Sequence, residues 1–441
     1  MSEWRNGKIG ELATGIRGVS YTPEQLKEFK NSDTITLLRS NNIQSGWLQF
    51  KNIQIVPKSV VSEAQILRFG DIAICMSNGS KALVGKAGPF VNITNEQFTV
   101  GAFCSIFRPA SGVDCQFTKY IFQSSAYRAQ LDISLAGSAI NNLRNSEIEL
   151  FSIKIPPPEH QKKIAEVLDV VDVTIRQTEA IIEKLKLVKQ GLLHDLLTRG
   201  IDANGELRPP QSQAPHLYKD SLLGSIPRTW SVERLDGLLS NEQPAMRSGP
   251  FGSALLKSEQ VESGVPLLGI DNVHTEEFID KFTRFVSISK FHELSRYAVR
   301  PDDLMITIMG TVGRCCLVPS GIRRALSSKH TWTITLDQSK YSPLLAMLQI
   351  NYSLRILEQL ARDEQGGIMS AIRSDTLRSL NFPVPPIKEQ IEIAERMQAI
   401  TSRINTESEV LRKLTCEKLG LMDDLLTGRV RVTPLFETIG V

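Results

Sequence analysis

The sequence predicts an α+β protein in which one structural plan occurs twice, each copy being a globular domain followed by a long helix. Residues 155–198 and 384–427 align without a gap at an offset of 229 positions, with 16 identities in 44 pairs. Chance would give roughly two or three identities. Both stretches carry a heptad pattern of apolar residues. The regions before them contain short β-branched runs bounded by Gly, Asp and Pro, which indicates strands joined by polar loops, with helical patterns between them.

Length and composition are those of a globular protein with more than one domain. The chain has 441 residues and a formal charge of +3, so its bulk charge neither requires nor excludes a polyanionic partner. The six cysteines form no CxxC pair and the six histidines no HxxxH or HxxH spacing, which predicts no zinc site and no disulfide framework. Reduced thiols, a charged N-terminus and no long apolar run predict a cytoplasmic protein that crosses no membrane.

The first copy comprises a domain at residues 1–155 and a helix at 156–199. The helix follows the sequence "IPPP", and proline suits a first helical turn because the N–H groups there are unpaired in any case. Alternate steps of four and three residues give a seam with two polar interruptions, Thr178 and Lys189. The apolar seam positions are Ile164, Leu168, Val171, Ile175, Ile182, Leu185, Leu192 and Leu196.

The second copy begins after a segment at 200–226 that is rich in Pro, Gln and Gly and is predicted to be a linker. A domain at 227–383, a helix at 384–431 and a tail at 432–441 follow. The polar interruptions of the second seam, Glu407 and Lys418, match those of the first. Its apolar positions are Ile393, Met397, Ile400, Ile404, Leu411, Leu414, Leu421 and Leu425. Two such narrow seams predict that the helices pair as a coiled coil, but they leave the direction of pairing open.

No catalytic motif survives inspection. The sequence "GSKALVGK" resembles a phosphate-binding loop, but five residues separate its glycines and Ala87 stands where a magnesium-binding Ser or Thr is needed. GxGxxG before a helix, GxSxG and HExxH are absent. The sequence therefore predicts neither an enzyme nor a metal site.

Loops rich in Gly, Asn, Ser and basic residues are the remaining candidates for function. Asn and Gln can pair with adenine, Arg with guanine, and Gly allows a close approach to phosphate, so these loops are candidate DNA contacts. In the first domain the candidates are Arg39, Asn41, Asn42, Gln44, Asn78, Lys81, Lys86, Asn141, Asn142 and Arg144. In the second they are Arg247, Lys257, Asp271, Asn272, Arg314, Arg323, Arg324, Lys329 and Arg373.

Simpler structural interpretations compete with the interpretation of these loops as DNA contacts. Asn and Gly also make turns, surface Lys and Arg are usually only solvated, and a lone histidine such as His330 is more often structural than a ligand. At the level of the whole chain, the alternative is a protein-binding adaptor with two modules on a coiled-coil stem and no DNA contact.

The arrangement resembles the specificity subunits of type I restriction-modification systems over nearly the whole chain. "IPPPEHQKKIAEVL" and "VPPIKEQIEIAE" are similar to the family's helix entry, and "LLHDLLTRG" and "LMDDLLTGRVRV" to its helix exit. "SGPFGSALLKSE", "LLGIDNV", "DDLMITIMGTVGR" and "LLGSIPRTW" are similar to segments of its target recognition domains. The first helix entry departs from the family pattern, because His160 separates Glu159 from Gln161.

The resemblance implies two target recognition domains that each read one half of a split, asymmetric DNA site, held apart by an antiparallel helix pair. It also implies partners: double-stranded DNA, two modification (methyltransferase) subunits beside the helices, and restriction (motor-nuclease) subunits. S-adenosylmethionine, ATP and Mg would be used by those subunits, and this chain would bind no cofactor. This expectation agrees with the lack of a catalytic motif.

Overall fold

The computed structural model describes residues 4–91, 96–136, 141–364 and 372–437. Its contacts divide the chain into unit 1, Met1–Ala180 with Ser408–Val441, and unit 2, Ile181–Glu407. Both units are therefore built from a globular domain and parts of two long helices. No helix within the described ranges is both long and apolar enough to cross a membrane.

Unit 1 begins with strands and three short helices. The strands are β1 Arg5–Lys8, β2 Ala13–Arg17, β3 Thr34–Leu38, β4 Ile43–Gln44, β5 Trp47–Leu48, β6 Gln54–Pro57, β7 Ile72–Cys75, β8 Ala87–Pro89, β9 Phe98–Val100, β10 Cys104–Pro109 and β11 Ser152–Ile155. The helices are α1 Cys115–Ile121, α2 Ser125–Ala136 and α3 Asn145–Glu149, followed by the long helix α4 Pro158–Thr198.

The rest of the chain repeats this order. The strands are β12 Tyr218–Lys219, β13 Ile226–Pro227, β14 Ser231–Arg234, β15 Met246–Ser248, β16 Gln260–Val261, β17 Val265–Leu268, β18 Phe285–Val286, β19 Leu304–Thr307, β20 Cys315–Leu317, β21 Leu326–Ser327, β22 Thr331–Ile334 and β23 Asn381–Val384. The helices are α5 Leu235–Leu238, α6 Ile288–Glu293, α7 Pro343–Tyr352, α8 Leu354–Glu364, α9 Ser374–Ser379, the long α10 Ile387–Thr427 and α11 Pro434–Glu437.

The main sheets of the two units have the same strand order, and their second sheets share a parallel pair. A four-stranded sheet has the order β2-β10-β7-β8 in unit 1 and β15-β22-β19-β20 in unit 2. A second sheet contains the parallel pair β3 and β9 in unit 1, and β17 and β21 in unit 2. A strand near the start of each domain pairs antiparallel with its last strand, β1 with β11 and β14 with β23. The predicted internal repeat is confirmed at the level of topology.

The long helices run antiparallel in both units. In unit 1, the start of α4 (Ile164, Leu168) shares one apolar core with the end of α10 (Met422, Leu425). In unit 2, the end of α4 packs into one core with the start of α10, including Ile393. Every predicted seam position is buried or half-buried, whereas Leu187 and Val188 beside the seam are more than half exposed.

The two lysines that interrupt the seams have acidic partners. Lys418 lies 2.6 Å from Asp172, which is almost fully buried in unit 1. Lys189, 229 positions earlier, lies 2.7 Å from Glu276 in unit 2. An ammonium group on a covered helix face needs such a partner because burial of an unpaired charge is costly.

A buried glutamine joins each domain to its long helix. Gln161 donates to the Pro156 carbonyl at 2.9 Å and accepts from the Asp114 N–H at 3.3 Å. Gln390, at the same repeat position, donates to the Pro385 carbonyl at 2.8 Å and accepts from the Ser342 N–H at 2.8 Å. These bonds tie the proline-rich entry to the start of α1 in unit 1 and to the start of α7 in unit 2.

The segment predicted as a linker is ordered and packed. β12 pairs with β13, and Arg208 is buried with its guanidinium on Glu389, at 2.5 and 2.8 Å. Glu389 also accepts from the Trp230 indole and the Ile201 N–H, both at 3.0 Å. Composition predicted a linker here, and an ion pair between residues distant in sequence holds this segment in place.

Unit 1 has a weaker contact at the equivalent place, which involves the residue that departs from the family pattern. His160 stands where unit 2 has Glu389, and its Nδ1 accepts from the Trp4 indole at 3.3 Å. Its ring stacks on Phe436, with 5.4 Å between centroids. A hydrogen bond from an indole and a ring stack thus stand where unit 2 has a buried ion pair.

Candidate nucleic-acid interface

Three loops of unit 1 meet at one edge of its sheets. They follow β3 (39–42), follow β7 (76–83) and connect β9 to β10 (101–103). The Gly101 N–H donates to the Leu38 carbonyl at 2.9 Å, and the Met76 N–H donates to the Phe103 carbonyl at 2.8 Å. Since β3 and β9 are parallel, the loops that follow them lie at the same end.

The segment 141–144 joins this edge. Ser77 forms a β-bridge with Asn142, and the Asn78 N–H donates to the Asn141 carbonyl at 3.3 Å. The Asn141 side chain in turn donates to the Gly79 carbonyl at 3.2 Å. The structure therefore brings together candidates from three separate loops, while residues 137–140 of the same candidate loop lie outside the described residues.

Unit 2 has an equivalent edge. The Ser328 N–H donates to the Leu268 carbonyl at 2.8 Å, and the Ile308 N–H donates to the His330 carbonyl at 3.1 Å. These bonds match those of unit 1 in strand and position. The loops concerned follow β17, follow β19 and connect β21 to β22. Of the candidate loop at 366–373, residues 366–371 lie outside the described residues, and Arg373 is exposed at the start of α9.

The predicted DNA contact is wrong at Asn42, which is almost fully buried. Its side-chain amide donates to the carbonyls of Gln49 and Lys51, at 2.9 and 2.8 Å. Its oxygen accepts from the Arg39 N–H at 2.9 Å. Asn42 therefore fixes the shape of the loop and has no free group for a base.

The same correction applies to Asn272, which is also buried. Its amide donates to the carbonyls of Ile279 and Lys281, at 2.9 and 3.1 Å, and its oxygen accepts from the Gly269 N–H at 3.0 Å. The similarity of "LLRSNNI" to "LLGIDNV" thus reflects a shared structural asparagine.

Arg247 is a third correction. It is 4% exposed, forms an ion pair with the fully buried Asp303, and donates to the Ala298 carbonyl at 2.7 Å and to Thr335 Oγ1 at 2.9 Å. Burial raises the pKa of Asp303 and lowers that of Arg247, but their mutual attraction opposes both shifts. The guanidinium links groups within its own domain and is not accessible to DNA.

The other candidates are accessible to different degrees. Half-buried are Arg39, Asn78, Lys86, Asn141 and Arg314. Exposed are Asn41, Gln44, Lys81, Asn142, Arg144, Lys257, Asp271, Arg323, Arg324, Lys329 and Arg373. Asp271 forms an ion pair with Arg284, which the sequence reasoning missed.

Not all of these residues lie at the loop edge. Arg323 and Arg324 precede β21, which runs parallel to β17, so they lie beside the start of β17 and away from Asp271 at its end. Lys257 is on a separate short turn. The position of Arg323 and Arg324 depends on parallel pairing between strands distant in sequence, and no local sequence pattern indicates that pairing.

The loop edges carry no sign of a metal site. No group of three or more His, Cys, Asp or Glu side chains in the described ranges could hold a metal ion. All six cysteines are free thiols, and burial raises the pKa of Cys104 to about 12. The edges offer hydrogen-bonding and basic side chains on a rigid frame, which suits binding.

Comparisons with known proteins match nearly the whole chain to one family. A family model described as the type I restriction modification DNA specificity domain matches residues 1–187 and 252–415. The type I restriction enzyme EcoKI specificity subunit of Escherichia coli (strain K12) is 29% identical over 459 residues, covering 97% of this chain and 88% of that protein. The StySPI specificity subunit of Salmonella potsdam is 26% identical over 422 residues, covering 93% and 85%.

Two solved structures share the fold. One belongs to work on the complex assembly and conformational transition of a type I R-M system, with a TM-score of 0.56, 15% identity, and 97% of this chain and 98% of that chain covered. The other is a type I restriction-modification S subunit from M. genitalium, with a TM-score of 0.55, 15% identity and 96% of each chain covered. These likenesses concern the fold alone.

Proposed function

The chain belongs to the type I restriction-modification DNA specificity family, and from this premise we propose that its two loop edges read the two halves of one split DNA site. The chain is the DNA-specificity subunit of such a system, and catalysis lies with other subunits. The observation that supports a split site is the duplicated frame with divergent exposed side chains. Two different readers on one pair of helices predict an asymmetric sequence with an unread gap.

The gap length should follow the helices. Each long helix has 41 residues and, at about 1.5 Å per residue, extends roughly 60 Å. We propose half-sites about one helical turn of DNA apart, so that both face the protein. The adaptor alternative has no observation in its favour.

Each unit also offers a cleft between its domain and a long helix. The unit 2 cleft, about 570 Å³, is lined by Lys189 and Tyr352, and the unit 1 cleft, about 380 Å³, by Lys418 and Gln123. These residues correspond at an offset of 229, so one kind of partner would find the same surface twice. We propose that two copies of the modification subunit dock there, with restriction subunits joining the complex for cleavage.

The remaining expectations follow from this assignment. We propose that S-adenosylmethionine, ATP and Mg are used by the partner subunits and that this chain holds none of them. We also propose the cytoplasm as the place of action, because the bacterial hosts of the relatives keep their DNA there.

An exchange of one domain tests the proposal. Residues 1–150 are replaced by the matching region of another family member, and methylated positions are mapped in a genome that carries the chimera. We expect one half of the recognised sequence to change and the other half and the gap to stay. A change in both halves, or in neither, would contradict modular reading.

A further inference from the structure

We infer that Phe103 reads a base of its half-site through an apolar contact, and that Lys329 and His330 occupy the same place in unit 2 with polar chemistry. The inference rests on the proposed function and adds a residue that decides specificity. Because the domain is duplicated, each copy serves as a structural reference for the other.

The backbone of the two tips is the same. The tip of unit 1 is residues 101–103, and that of unit 2 is residues 328–330. Each starts with an N–H that donates to the carbonyl at the end of the parallel strand, Leu38 or Leu268, and ends with a carbonyl that accepts from the residue after β7 or β19. Two hydrogen bonds of 2.8 to 3.1 Å thus hold each tip in one conformation.

The side chains of the tips differ in kind. Unit 1 presents Ala102 and Phe103, and Phe103 is 69% exposed although it lies between two buried strands. Unit 2 presents Lys329, which is exposed, and His330, which is half-buried. Asn42 and Asn272 are the same residue at equivalent positions, and both are structural. Exposed side chains that differ at equivalent positions, such as those of the tips, are available for recognition.

Phe103 is held at the candidate DNA edge of unit 1. Its carbonyl also accepts from the Ser77 N–H at 3.3 Å, and Ser77 bridges to Asn142. An aromatic ring exposed at a fixed place on the loop edge keeps apolar surface in contact with water, so covering that surface with an apolar group is favourable. The apolar group that base pairs present in the major groove is the thymine methyl, and a phenylalanine can pack against it.

The tip of unit 2 has opposite chemistry. Partial burial lowers the pKa of His330, and the positive charges of Lys329 and Arg284 lower it further. The lowered pKa favours the neutral imidazole near pH 7, and its Nδ1 lies 3.3 Å from the Met309 sulfur. A neutral imidazole can donate or accept one hydrogen bond at its other nitrogen, while Lys329 can contact phosphate or guanine.

Sequence selection tests the inference. The full-length chain, assembled with its modification subunits, selects DNA from a pool randomised in both halves. For Phe103→Ala we expect about a tenfold loss of preference for one thymine in one half, as for the loss of a buried aromatic contact, and no change in the other half. For Lys329→Ala combined with His330→Phe we expect the preference to change in the half read by unit 2 and to stay the same in the half read by unit 1.

A base analogue makes the test specific for the methyl group. Replacing that thymine by uracil should lower the affinity of the unaltered protein about fourfold, as for one buried methylene-sized group, and leave the Phe103→Ala variant unaffected. Phe103→Leu should keep part of the preference. If the unaltered protein responds to no uracil substitution, or the variant selects the same sequence as the parent, the inference is wrong.

Phe29 provides the matched control. It is 78% exposed in the same domain but precedes β3, whereas the tip lies beyond its end. Phe29→Ala should select the parental sequence, and a shift equal to that of Phe103→Ala would overturn the inference. If the unaltered complex selects no sequence at all, the proposed function itself fails, which is a different result.

Discussion

The buried carboxylate Glu389 is a point at which unit 2 should be very sensitive to a single substitution. It accepts four hydrogen bonds: two from the Arg208 guanidinium, one from the Trp230 indole and one from the Ile201 N–H. Both charged side chains are less than a tenth exposed. Glu389→Ala leaves a buried guanidinium without its counter-charge, and breaking a buried pair in this way costs about 3–5 kcal/mol.

Hydrogen exchange is the suitable assay because a chain with two units need not unfold in one step. The amides of β14, which pair with β23 just before α10, report local opening of unit 2. A cost of about 3 kcal/mol corresponds to at least about a hundredfold faster exchange of these amides. Unit 1 amides should not change.

Matched variants separate charge from packing. Glu183→Ala removes an exposed pair with Lys186 on α4 and should leave exchange unchanged. Replacing Arg208 and Glu389 together by Met should cost less than Glu389→Ala alone, because no charge is then stranded. His160→Ala, at the equivalent place in unit 1, should cost only about 1 kcal/mol. If the β14 amides exchange as slowly in Glu389→Ala as in Glu183→Ala, the predicted role of the Arg208–Glu389 pair is refuted.

Three further predictions concern the reading edge and the helices. Asn42→Ala should lower the unfolding free energy by about 1–3 kcal/mol, measured by denaturant titration, whereas the neighbouring exposed Asn41→Ala should not; equal effects would contradict the structural role. DNA affinity should fall steeply with salt, and Lys81→Ala should reduce the slope of log K against log salt by about 0.9; an unchanged slope would remove Lys81 from the phosphate contacts. Seven residues inserted between Lys184 and Lys189, with a matching heptad in the facing stretch of α10, should lengthen the unread gap by about 10 Å, and an unchanged gap in the methylation map would refute the ruler role of the helices.

The repeat and the helix seams could be read from the sequence because both are periodic. Ile164 and Ile393 lie in matching heptads, and heptads fix which side chains are covered whatever the surroundings. The direction of pairing could not be read in this way, since a heptad seam is compatible with either direction. It follows from contacts such as Lys418 with Asp172, between residues 246 positions apart.

The candidate site was predicted only in part. The loops were found because Gly, Asn and basic residues cluster there, but the same residue types build turns. Asn42 and Arg247 are enclosed by their own domains, and Arg323 is separated from the loop edge by the parallel pairing of β17 with β21. Phe103 was missed because a phenylalanine among β-branched residues normally belongs to a core.

The sequence by itself determined the duplicated plan, the position of both long helices and the family, since each of these is recorded in local patterns and in their repetition. Only the tertiary structure decided which polar side chains form buried structural hydrogen bonds and which remain at the surface. The physical reason is that burial and hydrogen-bond partners depend on strands and loops brought together from distant positions. Glu389 and Asn42 look alike in the sequence as polar residues near a motif, and their packing gives them structural roles, while Phe103 and Lys329 at the loop tips stay exposed.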